Sequence, residues 1–103
     1  MIAIVGEWTG VQVGTHRFGG LGFKYRGGEL GHFHSDSVLD LAFPAHIGER
    51  LIGKGWADLN HLFPVSGWVT FRIESDADIA HAVRLLRIAY RYRRLRVASF
   101  TVH

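Results

Sequence analysis

Between residues 22 and 43 apolar side chains alternate with polar ones, and turn-forming residues interrupt the alternation twice. A period of two is what a half-buried β-strand produces, so strands are predicted at 22–26, 29–34 and 38–43, joined by turns at Gly27-Gly28 and at Ser35-Asp36-Ser37. Burial decides the register of the second hairpin. A two-residue loop would pair His32 with Leu39 and mix polar with apolar groups on both faces. A three-residue loop instead pairs His32 with Asp40 and Phe33 with Leu39. The longer loop places Phe33, Leu39, Leu41 and Phe43 on a core face and His32, His34 and Asp40 on the other.

The remaining pattern supplies the layer that covers this meander. Pro44 stands where a helix begins, and Ile47, Leu51 and Ile52 form an apolar stripe that ends before Gly53 and Gly55, predicting a helix over 44–54. A short strand or connector over 56–62 carries His61, and Pro64 with Gly67 punctuates before a strand at 68–74. In that strand Val69, Phe71 and Ile73 face the core, opposite Trp68, Thr70 and Arg72. Ser75 with Asp78 has the spacing of a capping box at the start of a helix over 76–93, whose buried stripe is read as Ile79, Val83, Leu86 and Tyr90. Residues 1–21 read as an irregular or short-stranded segment, and the tail 95–103 as an edge strand, a partner-binding strand or a frayed end. The expected fold is a single α+β domain over residues 1–103, with two layers: an antiparallel sheet, made of the meander plus a later strand, and two helices on one of its faces.

Composition narrows the chemistry. With no cysteine there is no disulfide, thiolate nucleophile or zinc-thiolate site, so a metal would need His, Asp and Glu. No apolar run approaches the roughly 18 residues of a membrane span, and Met1 to Val5 lack the charged flank of a signal peptide. A cytoplasmic protein with no membrane partner is expected. Charge is divided unevenly: residues 1–78 hold six basic residues against all nine acids, a net of −3, whereas 79–103 hold six arginines and no acid.

The run "LGHFHSDSVLDLAFP", its spacing to "HLFPVSGWVTF" and the ending "SDADIAHAVRLLRIAYRYRR" resemble the luciferase-domain family, short uncharacterised bacterial proteins with divergent relatives among fungal luciferases. The shared features fall on Gly31, His32, His34, Asp40, His61, Pro64, Ser66, Gly67 and Trp68, and the resemblance covers about residues 16–94. Asn60 stands where many members carry a second histidine. Fungal luciferases add oxygen to a pyrone luciferin without a metal or bound cofactor, so the resemblance implies a ligand site and cofactor-independent oxidative or acid-base chemistry. The order of elements also resembles the MmcQ/YjbR-like fold, a likeness of fold alone.

Three readings of the histidine cluster remain open. In the first, a small organic ligand sits on the open sheet face, with His32 as general base oriented by Asp40, His34 and His61 as polar partners, Trp68 as a stacking surface and Arg72 holding an enolate or carboxylate. No cofactor is needed there. In the second, His32 and His34, two apart on one strand, share zinc or a transition metal with His61 or Asp40 as third ligand. In the third they are a hydrogen-bonded polar patch. Ser66-Gly67-Trp68 reads as a strand-starting turn, since no nucleophile elbow surrounds Ser66. A non-enzymatic alternative is an interaction module that dimerises through the open face or binds nucleic acid through Arg84, Arg87, Arg91 and Arg94. Those four also suit a solvated helix face near a C-terminus.

Overall fold

The computed structural model describes residues 1–15, 20–60 and 66–101, with side chains as far as residue 98. Its elements are α1 (Ile2–Gly6), β1 (Val11–Thr15), β2 (Leu21–Tyr25), β3 (Gly28–Ser35), β4 (Val38–Ala42), α2 (Ala45–Gly53), β5 (Asp58–Leu59), β6 (Trp68–Arg72) and α3 (Asp76–Thr101). The strands form one antiparallel sheet in the order β1-β2-β3-β4-β6-β5. The architecture is the α+β one expected, and the β3–β4 hairpin has the expected register, His32 opposite Asp40 and Phe33 opposite Leu39.

One face of the sheet is the core. Phe23, Leu39, Leu41 and Val69 are fully buried against Leu85 and Leu86 of α3, with Ile47 and Leu51 of α2 closing the far end. Full burial of such a side chain is worth about 1.5–3 kcal/mol, so the shared apolar face holds the two layers together. Ala82 and Ala89 are also buried, and their small side chains let α3 lie close to the strands. This moves the helix stripe from its expected position: Leu86 and Tyr90 are buried as read, but Ile79 is 38% exposed. Ser75 starts the helix as its spacing suggested. Its Oγ accepts from the Asp78 backbone N–H at 3.4 Å, and Asp78 Oδ2 accepts from the Glu74 N–H at 2.8 Å.

Three boundaries differ from the sequence reading. The first turn is Arg26-Gly27, so Gly28 begins β3 opposite Tyr25. A two-residue hairpin of type I′ needs positive φ at both central positions, and these residues adopt +47° and +83°. Residues 95–101, read as an edge strand or frayed tail, continue α3. No Gly or Pro interrupts 76–101, and Leu, Arg and Ala propagate a helix well. Finally, residues 1–21 contribute α1 and edge strand β1. Val5 is buried in the core and Trp8 packs on Tyr90 of α3, ring centroids 5.3 Å apart. Through Val5 and Trp8 this segment supports the helical side.

Candidate functional site

Strand pairing sets the row His32, Asp40, Thr70 and Asp58 across the sheet. By alternation this row lies on the face away from α3, and it carries a connected polar network. Thr70 Oγ1 donates to Asp40 Oδ1 at 2.8 Å, and Asn60 Nδ2 donates to Thr70 Oγ1 at 3.3 Å. On the other side of Asp40, its Oδ2 lies 3.6 Å from His32 Nε2, a close approach without a hydrogen bond. The short contact of His32 is instead to Glu29: Nδ1 and Oε1 are 2.6 Å apart. A carboxylate only accepts, so Nδ1 carries the proton and the ring orientation is fixed from the Glu29 side.

Sequence reasoning missed Glu29. In unbroken alternation residues 29 and 32 face opposite ways. Here Phe23 pairs with Gly31 but Lys24 pairs with Glu29, so Leu30 is an extra residue in β3. The bulge turns Glu29 to the His32 side and frees Leu30 to be buried with the core. His32, Glu29 and Asp40 keep 15%, 25% and 12% of their side-chain surface exposed, too little for a freely solvated patch. Among the described residues every buried side-chain nitrogen and oxygen has a hydrogen-bond partner.

The other expected residues divide. Trp68 is at the network, its ring 5.6 Å from that of His32 and tilted by 60°. Gly67, at φ +89°, makes the turn that delivers it, and Ser66 Oγ accepts from the Trp68 N–H at 3.4 Å, the strand-starting role read for this tripeptide. Arg72 lies on the same face but at the exposed end of β6, beyond Thr70. His34 sits at a second register shift, between Phe33 and Ser35, and lines a separate cavity with Ile2, Leu21 and Asp36. His61 lies outside the described residues. Among those described, no three His, Asp or Glu are grouped so as to hold a metal ion.

Next to the network is a depression of about 430 Å³ lined by Gln12, Gly14, Gly22, Lys24 and Glu29, with Val13, Thr15 and Phe23 completing it. Gly14 and Gly22 are register partners, as are Lys24 and Glu29. Two facing glycines leave the floor without side chains, and a Cβ on Gly14 would meet nothing within 4 Å. Glu29 is thus shared, one wall of the cavity and the partner of His32.

The family model for the luciferase domain matches residues 27–89. That stretch is more than half the chain and holds Glu29, His32, Asp40, Asn60, Trp68 and Thr70. The chain belongs to the luciferase-domain family. No curated protein matches it, and no solved structure does. The luciferase-domain match ends on α3 at Ala89, so the network lies wholly inside it, whereas Arg91 and Arg94 lie beyond it. Among the described residues no helix is long and apolar enough to cross a membrane.

Proposed function

We propose that this luciferase-domain protein binds a small, planar, enolisable organic molecule in the depression beside Glu29, and that the Glu29–His32 pair moves a proton to or from it. The observation that carries this reading is the shared carboxylate: Glu29 lines a cavity of ligand size and is held at 2.6 Å by an imidazole that is itself backed by Asp40. Pockets for small organic molecules occupy roughly 300–1,000 Å³. The floor of Gly14 and Gly22 admits a flat ring, and Lys24, opposite Glu29, supplies a cation for an enolate oxygen. Glu29 takes the proton from the ligand hydroxyl. His32 relays or stabilises that charge, with Trp68 and Asp40 fixing the ring's place. Arg72 stands at the outer end of the same face and attracts anionic ligands to it.

The test is a set of nitrogen-15 NMR titrations with hydroxylated pyrone and phenol fragments, against the native protein, Glu29→Gln and His32→Ala. Saturable shifts at Gly14, Gly22, Lys24 and Glu29, weakened in both variants, are expected. Shifts that persist undiminished in both variants would remove the proposed site.

A further inference from the structure

On the core side of the sheet, where the β2–β3 turn meets the second half of α3, lies a separate cleft of about 470 Å³. Its walls carry Arg26, Arg87, Arg91 and Arg94, and Tyr25 and Tyr90 lie between them. No Asp or Glu lines it, and among the described residues no carboxylate forms an ion pair with any of the four. Three of the four, Arg26, Arg87 and Arg94, are placed by aromatic rings instead. Arg87 lies 5.0 Å from the ring centroids of both Trp8 and Tyr90, Arg94 lies 5.2 Å from Tyr90, and Arg26 lies 5.6 Å from Tyr25. Tyr90 is itself pinned, its hydroxyl donating to the Thr9 carbonyl at 2.6 Å. A ring holds a guanidinium by its plane and leaves the N–H edges and the full charge available.

Arg26 gives an independent sign. It is the one non-glycine residue at positive φ among those described, +47°, in a hairpin position that Asn, Asp or Gly fills with less strain. A residue that costs the fold something and points a cation into an already cationic cleft is explained by what the cleft holds. The charge is also concentrated: Arg84 and Arg96, on the same helix, are not among its lining residues. The four guanidiniums converge on one concave volume and do not extend as the track that a nucleic-acid strand would follow.

We propose that this cleft binds a phosphate-bearing small molecule, its phosphate oxygens taken by Arg26, Arg87, Arg91 and Arg94 and its remaining part lying on Tyr25 and Tyr90. Bidentate N–H···O bonds from guanidinium edges match phosphate geometry. A chain of phosphates with three or four negative charges would neutralise the cleft.

The experiment is calorimetric titration of the native protein with inorganic tripolyphosphate at low salt, alongside a single-stranded oligonucleotide, with arginine side-chain NMR signals followed in parallel. One saturable site is expected, with the Nε–H signals of the four arginines shifting. Arg91→Ala and Arg94→Ala should each weaken binding about tenfold, the loss of a charge-assisted hydrogen bond. Arg26→Asn separates this role from a structural one. Asn suits the positive φ, so the unliganded variant should melt at the same temperature or higher while binding tripolyphosphate more weakly. The proposal is overturned if tripolyphosphate does not saturate a site, or if Arg26→Asn and Arg91→Ala bind it as the native protein does. Binding of the oligonucleotide without binding of tripolyphosphate would also overturn it, and would assign the arginines to a nucleic-acid surface.

Discussion

The two faces of the sheet treat charge in opposite ways. On the open face Glu29, His32, Asp40, Thr70 and Asn60 are largely buried, and each meets a partner from within the chain. In the arginine cleft three of the four exposed cations, Arg26, Arg87 and Arg94, are steadied by aromatic rings, and among the described residues none of the four is paired with a carboxylate. A satisfied network is rigid and specifies its own geometry. An uncompensated cluster repels itself, and a bound anion relieves that repulsion. The first arrangement suits proton chemistry on a positioned ligand, and the second suits capture of a charged group. They are joined at the start of β3, where Arg93 Nη2 donates to the Glu29 carbonyl at 3.3 Å and Gly28 leaves room for the Arg93 side chain.

Substitutions in each region should therefore differ in size and even in sign. The largest effect is expected in the platform beneath both. Leu41→Ala empties a fully buried position and should cost about 2–5 kcal/mol in urea unfolding. Tryptophan fluorescence and helix ellipticity should be lost together, and separate transitions would show that the two faces unfold independently. Thr70→Val comes next. It removes the donor to Asp40 and the acceptor for Asn60 within the sheet, and should cost about 1–3 kcal/mol. A neutral result would mean that the network contributes nothing to the fold.

Glu29→Gln should be milder in stability, about 1 kcal/mol, yet distinct in spectroscopy. Its amide can donate to the ring as well as accept from it, so the native preference of His32 for a proton on Nδ1 should weaken in ring-nitrogen correlation spectra. An unchanged ring pattern would place control of His32 with Asp40. The smallest effect belongs to the cleft. Arg91→Ala should change stability by no more than about 0.5 kcal/mol, toward greater stability at low ionic strength and toward no change as salt screens the cluster. A clear destabilisation would mean that Arg91 is a packing residue.

Alternation makes the sheet readable. Phe33, Leu39 and Leu41 have only one register that buries them together, and that register by itself brings His32 to Asp40. The family blocks and the open face coincide for the same reason. Glu29 is hidden because a bulge carries no short-range signature, and one extra residue, Leu30, reverses the face of everything before it. His34 leaves the expected cluster through a similar shift at the other end of β3. The length of α3 is obscured by the exposed Leu95, a residue whose helical state reflects propensity and the lack of a stop signal more than burial. Arg26 joins the other arginines only through tertiary contact, 61 residues away from Arg87 in the chain.

The most direct measurement is a crystal structure of the protein soaked with the best-binding pyrone or phenol fragment from the titrations. Fragment density is expected over Gly14 and Gly22, with its hydroxyl oxygen within hydrogen-bond distance of Glu29 and of Lys24, and with His32 still bonded to the far side of the Glu29 carboxylate. Density confined to another site, or an open face buried against a second copy of the chain with the depression closed, would contradict the assignment of this face to ligand binding.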